Sequence, residues 1–165
     1  MGFVPENRKE EGLFLTLSVK ENITAASFKG ITNRSGLFID RKLERSVCKE
    51  MVKKLNIVIS ELDQNAQTLS GGNQQKQIVA RWLIVNPSLV IFDEPTRGLD
   101  IKAKADIHFL LDQLTKEGQG ILLISSEIEE IVGMCDRVYV IRNGSIVSEF
   151  QGSDITKPNL IQASS

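Results

Sequence analysis

Leu69-Ser70-Gly71-Gly72-Asn73-Gln74-Gln75-Lys76 and, one helix later, Leu89-Val90-Ile91-Phe92-Asp93-Glu94-Pro95 form the stretch from which the rest of the chain is read. Helical spacing runs from Ser70 to Asn86 and stops there, because the residue before Pro87 is pushed out of the helical region. Leu89 to Phe92 is a short continuous apolar run, the pattern of a buried strand, and it delivers the carboxylates of Asp93 and Glu94 at its C-terminal end. A helix feeding a buried strand is the unit of an α/β fold.

Outward from this stretch the alternation continues. Asp100 is placed to cap a helix with Ala103, Ile107, Leu110, Leu111 and Leu114 on one face, and Gly118 is its stop. Ile121 to Ile124 reads as a second buried strand. Ser126 opens a short helix, with Glu129 completing a capping box. Arg137 to Arg142 and Ser145 to Phe150 flank Asn143-Gly144, a strong hairpin signal. Upstream, Phe3 to Pro5 reads as the end of a strand and Glu6 to Gly12 as a polar loop. Asp40 caps a helix whose buried stripe is expected to be Leu43, Val47, Met51, Val52 and Leu55. These readings divide the chain into a mostly helical subdomain at 13–86, core sheet and helices at 1–12 and 87–152, and a tail at 153–165. There is no internal repeat and no low-complexity tract.

Composition narrows the function. The 165 residues suit one domain, and their 41% hydrophobic and 25% charged content is ordinary globular usage. Lys plus Arg is 20 against 21 for Asp plus Glu, which speaks against a sequence-independent nucleic-acid binder. No apolar run reaches the roughly 20 residues of a membrane span. Met1-Gly2 is not followed by Ser or Thr at position 6, so the myristoylation pattern fails. Cys48 and Cys135 have no Cys-x-x-Cys spacing, lie in helical patterns and are expected to be reduced packing residues. Asn22-Ile23-Thr24, Asn33-Arg34-Ser35 and Asn143-Gly144-Ser145 match the glycosylation acceptor but carry no weight without a secretory route.

Two segments carry chemistry. Two glycines at a helix start let a backbone come close to a ligand, while free N–H groups and the helix dipole face an anion, and Ser70 adds a hydroxyl. On this segment alone a plain capped helix start is an equally good reading. An acidic residue at the tip of a buried strand, such as Asp93, suits Mg²⁺, and a neighbouring carboxylate such as Glu94 can orient or deprotonate a water. A capped turn would explain a lone Asp-Glu-Pro; the two motifs in this order decide for the chemistry.

In that order they resemble the ATP-binding subunits of ABC transporters. Leu69 to Lys76 resembles the signature motif, Leu89 to Glu94 the Walker B strand, and Thr96-Arg97-Gly98-Leu99-Asp100 the D-loop. Val4-Pro5-Glu6-Asn7-Arg8-Lys9, Gly12-Leu13, Ser18 to Ile23 and Ala80-Arg81-Trp82-Leu83 are similar to the second nucleotide-binding domain of monosaccharide importers of the ribose, galactose, xylose and autoinducer-2 type. Nucleoside-type importers share enough of the pattern to stay open. The implied fold is α/β, a partial RecA-like P-loop NTPase core of ABC type with a mostly helical insertion and a C-terminal β-hairpin.

Three departures qualify the resemblance. No glycine is followed by lysine, so the phosphate loop G-x-x-x-x-G-K-[ST] is absent from these residues. Met1 is therefore expected to be a truncation point or an internal start. Glu6 stands where most of the family has glutamine, and Ser126 stands at the switch-histidine position. The one histidine, His108, is expected on a solvated helix surface, and no Ser-His-Asp triad is supported.

The resemblance implies a division of roles. Leu69, Ser70, Gly71, Gly72, Gln74 and Asp100 are the nucleotide-binding candidates, acting in trans on a site whose phosphate loop belongs to another domain. Glu94 and Ser126 are the catalytic candidates, and Asp93 and Glu6 the metal candidates. ATP and Mg²⁺ are the implied cofactors. The implied partners are a second nucleotide-binding domain, a transmembrane permease and, indirectly, a sugar-binding protein, with the chain at the cytoplasmic face of the membrane and no nucleic acid partner. Phe14, Leu15, Leu17, Phe28, Leu37 and Phe38 could face the permease, although each is expected to be core first. By the same resemblance the phosphate-loop strand lies between Ile121–Ile124 and Val138–Ile141, so exposed apolar faces and marginal stability are expected. A non-catalytic interaction protein or decayed gene product is the alternative, and a soluble ABC protein of DNA repair or translation is a weaker one.

Overall fold

The computed structural model describes residues 1–27, 30–33 and 37–164. Phe28 and the Arg34-Ser35 part of one acceptor match lie outside them. The order is β1 (Gly2–Val4), α1 (Val19–Thr24), α2 (Arg41–Lys54), α3 (Gly71–Val85), β2 (Leu89–Asp93), α4 (Ile101–Lys116), β3 (Gly120–Ile124), α5 (Ile128–Met134), β4 (Arg137–Arg142), β5 (Ser145–Gln151) and α6 (Lys157–Ser164). One sheet has the order β1-β2-β3, with β1 parallel to β2 and Val4 beside Phe92, while β4 and β5 form a separate antiparallel pair. The chain divides inside β3 into two compact units, Met1–Leu122 and Leu123–Ser165.

In the first unit the core gathers around α3. Ile78, Val79 and Ala80 are fully buried there, as are Val90 and Phe92 of β2 and Ile107, Leu111 and Leu114 of α4. Arg81 points into this core. Its Nε donates to the Asn22 carbonyl at 2.8 Å, Nη1 to the Gly12 carbonyl at 2.8 Å and Nη2 to Asn22 Oδ1 at 3.1 Å. Gln77 Nε2 donates to the Val19 carbonyl at 3.1 Å, so α3 holds α1 by buried polar bonds as well as by apolar contact. Burial lowers the Arg81 pKa, and three acceptors compensate the buried cation.

Two expectations change here. Glu6 to Gly12 is not simply a loop, because Arg8–Gly12 close a π-helical turn that ends on buried Gly12. On α2, Asp40 caps as expected, accepting from the Lys42 and Leu43 amides at 2.9 and 3.1 Å. The buried stripe is rotated, however: Leu43 is exposed, and Glu44, Cys48, Met51 and Leu55 face inward. Glu44 can be buried because Arg41 reaches it at 3.1 Å and Lys20 lies 3.9 Å away. Burial, helped by the Glu44 charge, pushes the Cys48 thiol up to about 12, which keeps it protonated.

In the second unit the hairpin is as read. Asn143 and Gly144 have φ of 51° and 77°, the pair of positive angles that a type I′ turn needs. Three readings are corrected. Ser126 does not open a helix; α5 starts at Ile128 after Glu127, without a side-chain cap, because the Ser125 hydroxyl takes the Glu127 amide at 3.0 Å and delays the first turn. Cys135 is not within the helix but follows it as its last cap. The strand at Ile121 to Ile124 is not buried: Leu122 and Ile124 are exposed, as are Tyr139 and Ile141 of β4. Burial and nearby acidic groups raise the Cys135 thiol pKa. α6 occupies the segment read as a tail, where Leu160 is buried and Lys157 pairs with Glu129.

Candidate functional site

The signature segment lies at the start of α3. Ser70 is its N-cap and is exposed, yet its side chain accepts no hydrogen bond from the first turn. Its hydroxyl oxygen accepts instead from Asn73 Nδ2 at 3.0 Å, and Asn73 Oδ1 accepts from the Val58 amide at 2.9 Å. The first N–H groups of α3 thus keep no side-chain acceptor, and with the positive end of the helix dipole they form a place for an anion.

The two glycines have an internal role that sequence alone did not show. A Cβ at Gly71 would sit 2.8 Å from Arg8 Nη2 and 3.2 Å from Leu99 Cδ2; one at Gly72 would sit 3.2 Å from Ala103 Cβ. A side chain at either position would have to displace Arg8 and Leu99, or press on Ala103, for α3 to begin this close to them. Arg8 itself is half-buried. Its Nη1 donates to the Arg97 carbonyl at 3.4 Å, its Nε is buried without a partner, and among the described residues no carboxylate pairs with it. An open pocket of about 360 Å³ lies here, with Arg8, Lys9, Leu69, Gly71 and Gln74 in its wall. Gln74 is nearly fully buried, and its amide donates to the Ala66 carbonyl at 3.4 Å, so its polar end is turned into the chain.

The second cluster lies at the end of β2. Asp93 and Glu94 are both half-buried. Glu94 has a φ of 44°, a left-handed conformation uncommon outside glycine and asparagine, of the kind found where a strand end must aim a side chain. The Glu94 carbonyl accepts from the Arg97 amide at 3.1 Å, and the Thr96 carbonyl from the Leu99 amide at 3.2 Å, which tightens the turn into α4. Asp100 then caps α4, accepting from the Ala103 amide at 2.9 Å.

The remaining candidates are dispersed. Glu6 forms an ion pair with Arg97, which occupies the carboxylate. Among the described residues no three His, Cys, Asp or Glu side chains gather into a metal-sized group. A cation at Asp93 would therefore take most of its ligands from outside the chain, as phosphate and water can supply. Ser126 is exposed in the second unit, just after β3. His108 is half-buried on α4 rather than fully solvated. Phe14, Leu17, Leu37 and Phe38, expected first as core, are exposed and Leu15 is half-buried. Arg8 and Arg97 were missed as site residues: both sit in polar segments where nothing in the spacing marks which cation turns toward a helix start.

Comparison with known proteins adds an independent line. The profile of the family described as "ABC transporter" matches residues 1–97. The chain is 44% identical over 98% of its length to "Ribose import ATP-binding protein RbsA" of Yersinia pestis bv. Antiqua (strain Antiqua), and 40% identical over 98% to the protein of that name from Bacillus licheniformis. It spans about a third of those relatives, 31% and 32% of their lengths. Among solved structures it is similar to a dimeric post-hydrolysis ATP-binding cassette bound to ADP and Pi, with a TM-score of 0.73, 24% identity, and coverage of 91% of this chain and 62% of that one. A nucleotide-free cassette from an ABC transporter gives a TM-score of 0.74 at 24% identity, with 97% and 65% covered. At that identity these likenesses establish the cassette fold.

Proposed function

The chain belongs to the ABC transporter family, and on that premise we propose that it is part of the ATP-binding subunit that energises import of a simple sugar, its signature edge completing an ATP site in trans. The observation that carries this reading is the start of α3, where an exposed serine and N–H groups without a side-chain cap open beside the Arg8 guanidinium, which has no carboxylate partner among the described residues. The names of the relatives supply the sugar-import context.

In this reading Ser70 and the N–H groups of Gly71 and Gly72 hold the terminal phosphate of a nucleotide whose phosphate loop lies on a second nucleotide-binding domain. Leu69 and Arg8 form the wall behind it, and Arg8 adds positive charge. Gln74 acts through packing, since its amide is spent on Ala66. Asp100 fixes the D-loop by capping α4.

Asp93 and Glu94 belong to the other site of such a pair, where Glu94 would accept the proton of the attacking water. Ser126 stands in sequence at the switch-histidine position and would replace that histidine as a hydrogen-bonding hydroxyl. Asp93 fits as the one protein carboxylate on Mg²⁺. Glu6 does not fit as a ligand while Arg97 occupies it. When bound with ATP, Mg²⁺ would neutralise charge developing on the phosphates. The helical subdomain at 13–86 would meet the permease at the cytoplasmic membrane face through exposed Phe14 and Leu17, and a sugar-binding protein would act on the permease from the other side.

A Mg-ATP titration tests the division of labour. These 165 residues contain no G-x-x-x-x-G-K, so they are expected to show no micromolar binding and no turnover alone. Tight binding with turnover abolished by Glu94→Gln would contradict the trans assignment.

A further inference from the structure

We propose that the outer face of α2 is a docking surface for the anionic headgroups of a phospholipid bilayer. The helix carries Arg41, Lys42, Arg45, Lys49, Lys53 and Lys54 against Glu44 and Glu50. At helical spacing Lys42, Arg45, Lys49 and Lys53 fall in one stripe, on the side away from the buried face of Glu44, Cys48, Met51 and Leu55. All four are exposed. Glu44 is withdrawn into the protein with Arg41 and Lys20, so its charge does not offset the stripe. Arg45 pairs with Asp63, whereas Lys42, Lys49 and Lys53 have no acidic partner among the described residues.

Next to the stripe lies a second open pocket of about 360 Å³, lined by Arg45, Lys49, Lys53 and Glu61 with Val52 and Leu62. Lys49 and Lys53, the two cations of the cleft without an acidic partner among the described residues, suit a phosphate diester. The flanks favour a bilayer over a nucleic acid. Leu37 and Phe38, just before the Asp40 cap, and Val58, just after the helix, are exposed by 78%, 70% and 75%. Exposed Leu, Phe and Val at both ends of a basic helix face suit a surface that offers anionic headgroups above an apolar boundary.

This inference stands on the charge pattern of α2 and does not require the transport reading. Co-sedimentation of the chain with vesicles tests it, using phosphatidylcholine mixed with phosphatidylglycerol against phosphatidylcholine alone. Binding is expected on the anionic vesicles only, and it should weaken as salt is raised from about 0.1 to about 1 M, because the screening length falls from ~10 to ~3 Å. The triple variant Lys42→Gln, Lys49→Gln, Lys53→Gln is expected to lose about a hundredfold in vesicle affinity. The matched triple Lys102→Gln, Lys116→Gln, Arg142→Gln removes the same charge elsewhere and is expected to bind as the parent does. Lysine and glutamine have similar helix propensity, so α2 should persist in the variant, which circular dichroism checks. Absence of binding to anionic vesicles, equal loss in both triples, or tighter binding to duplex DNA than to the vesicles would overturn the proposal.

Discussion

α3 and α4 begin side by side, each after an extended residue of a good N-cap type, but only one of the two starts is closed. Asp100 folds its carboxylate onto the Ala103 amide, while Ser70 leaves the first turn of α3 without a side-chain acceptor. α3 is held elsewhere, by Arg81 and Gln77 in its buried middle and last turns. A helix anchored away from its start can keep that start open for an outside anion without losing its place in the core. α4, which has no such buried polar anchor among the described contacts, is closed at its own end.

The largest effect should come from removing the anchor. Arg81→Met leaves the carbonyls of Gly12 and Asn22 unpaired in the core and is expected to cost about 2–4 kcal/mol, read by urea denaturation of the chain. If it costs less than Asp100→Ala, α3 is not held by its middle. Gly72→Val comes next. Its branched side chain would press on Ala103, at an expected cost of about 1–3 kcal/mol and with a loosened packing of α3 on α4.

Asp100→Ala should cost about 1 kcal/mol, the usual value of a lost N-cap. For a chain of this size that is a fall of about 2–4 °C in Tm. Ser70→Ala, by contrast, is expected to stay within about 0.5 kcal/mol, because no cap bond is lost. Equal costs for the two substitutions would erase the contrast between the starts.

The smallest effect is pH-dependent and uses a third helix start. α1 is closed by a capping box: the Ser18 hydroxyl receives the Glu21 amide at 3.2 Å, while the Glu21 carboxylate accepts from the Ser18 amide at 2.9 Å. Hydrogen bonding from Ser18, first through its side chain and then its backbone, holds the Glu21 carboxyl below its ordinary value of 4.5. A depressed folded pKa means stability that is present above the ordinary value and is lost as pH falls through the folded one. Glu21→Gln should therefore lower Tm slightly near neutral pH, and the difference from the parent should shrink below about pH 4.5. A constant difference across that range would show that the box does not depend on the charge.

Much of this was legible in the sequence. The Leu89–Phe92 run, the Asp100 and Asp40 caps and the Asn143-Gly144 turn each rest on local physics, and each stands in the structure. What was not legible depends on choices among partners. Glu44 takes a place on the buried face that Leu43 does not, held by Arg41 three residues before it and with Lys20 nearby. Ser125 rather than Ser126 takes the Glu127 amide, a competition between neighbours of equal capping ability. At the candidate site, Ser70, Gly71 and Gly72 were legible as the start of a helix, but the placement of Arg8 and Arg97 follows from contacts about 90 residues apart in sequence.

The open start of α3 can be watched directly. Amide hydrogen exchange of Gly71, Gly72 and Asn73 should be fast in the chain alone and with Mg-ATP alone. It should slow by tenfold or more when a phosphate-loop-bearing cassette domain loaded with Mg-ATP is added, with Ser70→Arg abolishing the change. Protection already present in the isolated chain, or no change on adding the loaded partner, would contradict a signature edge that acts in trans.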